Sequence, residues 1–223
     1  MLVIFDLDGT LLNTLDDLAA AGNYVLANHG FPIHPVEAYK QFVGNGIRKL
    51  VERAVPQKAL EDIDLESLFQ EFMAYYSAHK MDKTMPYNGI IKLLEWLQNK
   101  GIKLAVASNK AHEAMEPLMQ HYFPTIRFDV VLGHKPGANP KPSPDMVLEI
   151  MKKTRETNET TLYVGDSNVD MLTAANARLT KIGVLWGFRS RDELVDAGAD
   201  YLLQQPNISD FEDIMCQFGN LSL

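Results

Sequence analysis

Residues 2–11 read Leu-Val-Ile-Phe-Asp-Leu-Asp-Gly-Thr-Leu, and this stretch decides the fold. The apolar run Leu2–Phe5 predicts a buried strand, and Asp6 and Asp8 follow where that strand ends. A parallel strand covered on both faces has no use for carboxylates unless a cation or a reactive group lies beside them. Gly9 and Thr10 allow a tight turn whose backbone N–H groups can face an anion. The stretch therefore predicts a functional site at the carboxyl edge of a sheet, and the alternative is a pair of solvated loop carboxylates.

Downstream of Gly89, strand-like and helix-like segments alternate along the chain. This alternation predicts an α/β fold built on a doubly wound parallel sheet, similar to a Rossmann core. Helices are predicted over Ile90–Asn99, 111–121, 144–153 and onward from Val169, and strands over Lys103–Ala107, Phe128–Leu132, Thr161–Gly165 and Lys181–Leu185.

Residues 14–86 interrupt this rhythm. They contain helical patterns over Leu15–Asn28, Gly46–Val55 and Leu65–Lys80, and no convincing strand pattern. A connection of this length inside a compact fold is usually a functional lid. We therefore predict a core domain formed by residues 1–13 and 87–223, with a small helical cap domain over residues 14–86 inserted after the first strand.

The composition excludes several classes of function. The 223 residues carry a formal net charge of −8 with a pI near 5.2, so we expect no nucleic-acid partner and no anionic membrane surface. A single cysteine excludes an internal disulfide, and no apolar stretch approaches membrane-spanning length. The first apolar run is too short for a signal peptide. We expect a cytoplasmic protein that acts on a small molecule as a monomer or homodimer.

Further polar residues follow the later strands. Ser108 and Asn109 come after the strand Lys103–Ala107, and their hydroxyl and amide groups can bind phosphoryl oxygens, although Ser-Asn is also ordinary loop chemistry. We interpret Lys110 as a solvated side chain. Lys141 lies between two prolines that fix its direction, and we favour it over Lys135 as a lysine beside a nucleophilic carboxylate.

A second acidic pair follows the strand Thr161–Gly165. Asp166 lies at the end of that strand, and Asp170 lies one turn later, where a carboxylate also suits the start of a helix. Carboxylate oxygens, with water and substrate phosphate, are the usual ligands of Mg²⁺. The shared position of these groups at the strand ends of one sheet predicts a single site.

In these motifs, in their order and in their spacing, the chain resembles the haloacid dehalogenase superfamily of aspartate-nucleophile phosphotransferases. The helical insertion resembles the C1 cap of that superfamily. The resemblance implies that Asp6 is the nucleophile and Asp8 the general acid and base. It further implies that Ser108, Asn109, Gly9 and Thr10 form a phosphoryl site and that Lys141 stabilises a phosphoaspartate. Mg²⁺ would be held by Asp6, the Asp8 carbonyl and Asp166. Asp170, with Ser167 beside it, would be a second acidic partner of the metal site or of Lys141.

Finer residues point to one branch of that superfamily. Asp8 favours phosphate-ester chemistry, and the stretches 15–20 and 42–53 are similar to phosphoglycolate phosphatases. We predict that Asn45, Gly46 and Arg48 in the cap bind the carboxylate of such a substrate; the alternative is that they only begin a helix. Arg178 stands where a glycine is frequent, which predicts a longer helix or a guanidinium near its end.

Other functions stay open at this point. They are a broad sugar-phosphate phosphatase, a pyrophosphatase, an enzyme similar to β-phosphoglucomutases and, outside enzymes, a phospho-accepting module similar to receiver domains. Leu18 disfavours the mutase, because mutases carry a cap histidine at the aligned position.

Overall fold

The computed structural model describes residues 1–221 and contains a six-stranded parallel sheet with connecting helices. The predicted α/β class is confirmed. The strands are β1 (Leu2–Phe5), β2 (Leu12–Asn13), β3 (Met85–Pro86), β4 (Lys103–Ala111), β5 (Val130–His134), β6 (Thr161–Gly165), β7 (Thr180–Val184) and β8 (Tyr201–Leu203). The helices are α1 (Leu15–Asn28), α2 (Tyr39–Phe42), α3 (Ile47–Ala54), α4 (Leu65–His79), α5 (Ile90–Asn99), α6 (Met115–Tyr122), α7 (Asp145–Thr154), α8 (Asn168–Asn176), α9 (Arg191–Asp196) and α10 (Ile208–Leu221).

Strand β1 lies in the middle of the sheet, whose order is β5-β4-β1-β6-β7-β8. Leu2 is paired with Lys103 of β4 on one side and with Thr161 of β6 on the other. All four β1 residues are buried, which explains the unbroken apolar run. The chain leaves β1 and β6 in opposite directions, so their carboxyl ends border the crevice in which such sheets bind ligands.

The sheet differs from the predicted one at its boundaries. Strand β4 continues to Ala111, four residues beyond the predicted end, with an irregular register between Ser108 and Ala111. The residues of this irregular stretch are polar, so the sequence pattern assigns them to a loop instead of to the strand. The patterns do not predict β8 or α9, which are only three and six residues long.

The chain divides into two compact units. We call Met1–Leu12 with Pro86–Leu223 the core unit, and Asn13–Met85 the helical unit. Among residues 1–221, no helix combines the length and the apolarity that crossing a membrane requires.

The helical unit is built on the packing of α1 against α4. Buried Asp17 ties the start of α1 to the segment that follows α4. Its carboxylate accepts hydrogen bonds from the backbone N–H groups of Lys83 and Thr84 and from the Thr84 hydroxyl, at 2.8–3.2 Å. These hydrogen bonds connect the first helix of the helical unit with the last residues of the same unit.

Candidate active site

Asp6 lies at the carboxyl end of β1 and is the centre of the site. Its backbone N–H donates to the Val164 carbonyl of β6 at 2.9 Å, so its position is fixed by the sheet. Its Oδ1 lies 2.8 Å from Lys141 Nζ. Burial and the nearby Asp170 carboxylate raise the pKa of Asp6 to about 7, against the opposing effect of the Lys141 ammonium.

Lys141 is buried and meets four groups through its ammonium. Besides Asp6, Nζ lies 2.7 Å from Asp170 Oδ1, and it donates to the Ala107 carbonyl at 3.0 Å and to the Tyr163 hydroxyl at 3.2 Å. Burial alone would lower its pKa, but the Asp170 and Asp6 carboxylates raise the pKa of Lys141 well above its ordinary value. This side chain therefore stays a cation beside Asp6.

Asn109 holds the backbone of Lys141. The Lys141 N–H donates to Asn109 Oδ1 at 2.7 Å, and Asn109 Nδ2 donates to the Lys141 carbonyl at 3.1 Å. This pair of bonds fixes the loop that carries the lysine. The predicted contact of Asn109 with a phosphoryl group stays a prediction. Lys135, the other candidate lysine, is exposed on the loop after β5.

The interpretation of Lys110 as a solvated side chain is wrong. Its side chain is only 3% exposed, and Nζ lies 3.0 Å from both Oδ1 and Oδ2 of Asp8. Ser108 is buried, and its Oγ accepts from the Lys110 N–H at 3.2 Å. The irregular register of β4 spans this segment, and bulges of this kind redirect side chains beside active sites.

Gly9 and Thr10 form the turn that follows the two aspartates. Gly9 has φ +91°, which favours glycine, and its N–H donates to the Leu12 carbonyl at 2.8 Å. The Thr10 N–H donates to the Leu7 carbonyl at 3.3 Å, and the Thr10 hydroxyl donates to Asp166 Oδ1 at 3.2 Å. These groups hold the turn together, and their predicted contact with a phosphoryl group stays a prediction.

Asp166 is buried at the end of β6, close to the backbone on two sides. A Cβ atom on Gly9 or on Gly187 would collide with the Asp166 side chain. Asp166 Oδ2 accepts from the Phe188 N–H at 2.8 Å. Burial, and next the Asp170 carboxylate, raise the pKa of Asp166 well above its ordinary value. The two glycines thus leave space for the Asp166 carboxylate, whose negative charge is not fully balanced by nearby cations.

Asp170 lies in the first turn of α8 and is fully buried. Its Oδ2 accepts from the Ser167 N–H at 3.1 Å and from the Ser167 hydroxyl at 2.6 Å. Its Oδ1 meets Lys141 and accepts from the Tyr163 hydroxyl at 3.1 Å. Of the two partners left open for Asp170, the structure provides direct contact with Lys141.

Asp6, Asp166 and Asp170 fit a metal ion. Each offers a carboxylate oxygen, and these oxygens all lie within 4.8 Å of one another. Lys141 contacts two of these carboxylates, Asp6 and Asp170, and the raised pKa values of Asp6 and Asp166 indicate that the nearby cations do not fully balance the negative charge of the cluster. Hard oxygen donors with this excess of charge suit a hard divalent cation.

The candidates in the helical unit are engaged within that unit. Arg48 contacts Glu66, and its guanidinium lies 4.7 Å from the centre of the Phe69 ring. Asn45 Oδ1 accepts from Arg53 Nη2 at 2.7 Å. Gly46 precedes the first residue of α3 with φ +84°. Their predicted role in binding a substrate carboxylate stays a prediction.

The chain matches a family model and several known proteins that share one name. The family model described as haloacid dehalogenase-like hydrolase matches residues 3–184. A phosphoglycolate phosphatase of Agrobacterium fabrum is 33% identical over 189 residues, covering 84% of this chain and 81% of that protein. A phosphoglycolate phosphatase of Mannheimia succiniciproducens is 30% identical over 220 residues, covering 96% of each protein.

Solved structures agree with these relatives. A crystal structure from Lactobacillus delbrueckii subsp. bulgaricus has a TM-score of 0.85 and 35% identity, covering 96% of this chain and 97% of its own. A Haemophilus somnus protein described as a predicted phosphoglycolate phosphatase has a TM-score of 0.86 and 25% identity, with the same coverage.

Proposed function

The chain belongs to the haloacid dehalogenase-like hydrolases, and from that premise we propose that it is a Mg²⁺-dependent phosphatase whose substrate is 2-phosphoglycolate. One observation carries the proposal: the buried Asp6 carboxylate lies against the Lys141 ammonium, and a second carboxylate, Asp8, follows two residues later. The substrate is supported by relatives named phosphoglycolate phosphatase that match at 30–33% identity over most of the chain.

The reaction proceeds in two displacements at phosphorus. In the first, an oxygen of Asp6 attacks the phosphorus, the bond from phosphorus to the ester oxygen breaks, and Asp8 gives its proton to the departing alkoxide. In the second, Asp8 accepts a proton from water, and that water oxygen attacks the same phosphorus. The bond to Asp6 breaks, inorganic phosphate leaves, and Asp6 is restored as a carboxylate.

Lys141 assists both displacements. Its ammonium lies at the nucleophile and balances negative charge that moves between Asp6 and the phosphoryl oxygens. Asn109 and Tyr163 hold this lysine in place and so act through it. The Ser108 hydroxyl, with the turn around Gly9 and Thr10, binds the phosphoryl oxygens in this proposal.

Mg²⁺ would be held by Asp6, by Asp166 and by the Asp8 carbonyl, with Asp170 beside them. Three buried carboxylate oxygens within 4.8 Å of one another support this assignment. When bound, a magnesium ion neutralises charge on phosphoryl oxygens during the displacement. The protein residues orient the ester between Asp6 and Asp8.

A substrate screen tests the proposal. The wild-type protein is assayed with Mg²⁺ against 2-phosphoglycolate, pyrophosphate, sugar phosphates and nucleotides, and phosphate release is measured. We expect the highest kcat/KM with 2-phosphoglycolate; a higher value with another compound would replace the substrate and keep the phosphatase. A stable phosphoaspartate without turnover would favour the signalling module instead.

The matched variants Asp6→Asn and Asp213→Asn test the nucleophile. Asp213 lies on the exposed face of α10, so its variant should keep full activity. Asp6→Asn should abolish phosphate release while the fold persists, because an amide cannot attack phosphorus at a useful rate. Turnover retained in Asp6→Asn would overturn the assignment.

A further inference from the structure

We propose that Lys110 binds an anionic group on the leaving portion of the substrate, and so selects phosphate esters that carry a carboxylate next to the ester carbon. This inference rests on the proposed phosphatase function and deepens it. It assigns the selection of the substrate to a lysine of the core unit, whereas the sequence predicts Asn45, Gly46 and Arg48 of the helical unit for this role.

The position of Lys110 is built into the sheet. Lys110 lies in the irregular segment of β4, where Ser108 pairs with Gly133 and the next paired residue is Ala111. Its side chain is buried, and its ammonium lies 3.0 Å from both oxygens of Asp8. Burial of an ammonium is costly unless an anion lies beside it. The fold therefore keeps a cation at the residue that serves the leaving group.

Distances connect Lys110 with the leaving group. To protonate the ester oxygen, Asp8 must come within roughly 2.6–3.2 Å of it. Since Lys110 Nζ lies 3.0 Å from the Asp8 oxygens, the ammonium lies within about 6 Å of that ester oxygen. In 2-phosphoglycolate only a CH₂ group separates the ester oxygen from the carboxylate carbon. The carboxylate of 2-phosphoglycolate can therefore contact the Lys110 ammonium directly while Asp8 contacts the ester oxygen.

The two buried lysines of the site divide the work. Lys141 contacts Asp6 and Asp170, on the side of the nucleophile. Lys110 contacts Asp8, on the side of the leaving group. Arg48, by contrast, already has a carboxylate partner in Glu66 and an aromatic partner in Phe69. Charge and position thus favour Lys110 as the residue that recognises the substrate carboxylate.

Two esters and two lysine variants test the proposal. The esters are 2-phosphoglycolate and its amide, which replaces the carboxylate by a neutral group of the same size. Lys110→Met should lower kcat/KM for 2-phosphoglycolate about 10- to 100-fold more than kcat/KM for the amide, since only the carboxylate ester loses a hydrogen bond between two charged groups. Lys135→Met removes an exposed lysine and should leave both values at the wild-type level.

Lys110→Arg and a binding measurement complete the test. The arginine variant keeps the charge and should keep the preference for the carboxylate, and thermal unfolding checks the fold of each variant. In an Asp6→Asn background, calorimetry should find weaker binding of 2-phosphoglycolate, but not of the amide, when Lys110 is replaced by Met.

Equal losses with both esters would overturn the inference, because they would assign Lys110 to Asp8 alone. Unchanged kinetics in Lys110→Met, or a wild type that treats the two esters alike, would overturn it as well. These outcomes leave the phosphatase intact, whereas a wild type that hydrolyses no phosphate ester would overturn the proposed function itself.

Discussion

At the residue scale, Tyr163 connects the charged groups of the site. It lies inside the apolar strand β6, and its buried hydroxyl accepts a hydrogen bond from Lys141 and donates one to Asp170. Burial raises the pKa of Tyr163 well above its ordinary value, so the hydroxyl keeps its proton. A phenol in this position orients a buried cation and a buried anion at the same time.

We predict that Tyr163→Phe destabilises the protein by about 1–3 kcal/mol, because it leaves two buried charged groups each without one partner. For a chain of this size the melting temperature should fall by about 2–4 °C per kcal/mol. The same variant should lower kcat more than it changes KM, since Lys141 acts on the displacement itself in the proposed mechanism. Thermal unfolding and steady-state kinetics measure both effects.

Tyr201→Phe is the matched control for this prediction. Tyr201 lies on β8 at the far edge of the sheet and takes no part in the site. If both variants kept the wild-type melting temperature and kcat, the Tyr163 hydroxyl would have no role in holding Lys141.

The residues of the site differ in how well the sequence predicts them. Asp6 and Asp166 could be predicted, because a carboxylate at the end of an apolar strand requires a cation nearby. Tyr163 could not, because an aromatic residue within an apolar strand is usual, and the apolar pattern of the strand does not show whether its hydroxyl has a role. Lys110 could not, because it lies where the register of β4 is irregular, and the alternation of residues in a strand does not reveal such an irregularity.

At the element scale, two helices end on arginine in a backbone conformation that favours glycine. Arg155 after α7 and Arg178 after α8 both have φ +58°. At Arg178 the Leu179 N–H donates to the Ala174 carbonyl at 2.8 Å, the bond typical of a helix end with a left-handed residue. Helix α8 therefore ends at Asn176, and the longer helix considered for Arg178 is not formed.

We predict that Arg178→Gly raises the free energy of unfolding by about 1 kcal/mol, because glycine adopts this conformation without a steric penalty. The melting temperature should rise by about 2–4 °C, with activity unchanged. Arg178→Ala is the control: it removes the charge but keeps the Cβ atom, so it should give no gain. Equal stabilisation by both substitutions would assign the effect to the guanidinium instead of the backbone.

The spacing of apolar residues predicts the helices and strands that are long and regular. The bounds of α5 and β6 agree with the predicted ones, since their apolar spacing is unambiguous. The end of β4 could not be predicted, because its last residues are polar and pair with β5 through an irregular register. The short β8 and α9 lie below the length at which a pattern can be recognised.

At the scale of the whole molecule, the buried carboxylates of the site make stability depend on pH. A carboxyl whose pKa is raised on folding stabilises the folded protein below its unfolded pKa, and this stabilisation is lost as pH rises through the folded pKa. For Asp6 the loss occurs between about pH 4, the usual pKa, and about pH 7. Asp166 is shifted in the same direction, so it adds to the effect.

We predict that the metal-free protein melts at a higher temperature at pH 5.5 than at pH 8. Asp6 alone contributes about 2 kcal/mol to this difference, or about 4–8 °C. Mg²⁺ should restore most of the loss at pH 8 and have a smaller effect at pH 5.5, where protons compete with it. Calorimetry with chelator and with added Mg²⁺ measures the four conditions.

Asp6→Asn provides the control, because an amide has no charge to titrate. This variant should reduce the pH dependence of the metal-free protein, leaving the part that comes from Asp166, and should weaken its response to Mg²⁺. A metal-free wild type that melts at the same temperature at both pH values would contradict the assignment of these carboxylates.

The pairing of β1 has a consequence for how the protein is made. Leu2 leaves the ribosome long before its partners Lys103 and Thr161, which are translated much later. At about 5–20 residues per second, the most apolar strand of the sheet waits on the order of ten seconds for its second neighbour. The helical unit, which is contiguous over Asn13–Met85, is complete well before that. Newly made chains therefore expose β1 to chaperones, or to other nascent chains, until β6 emerges.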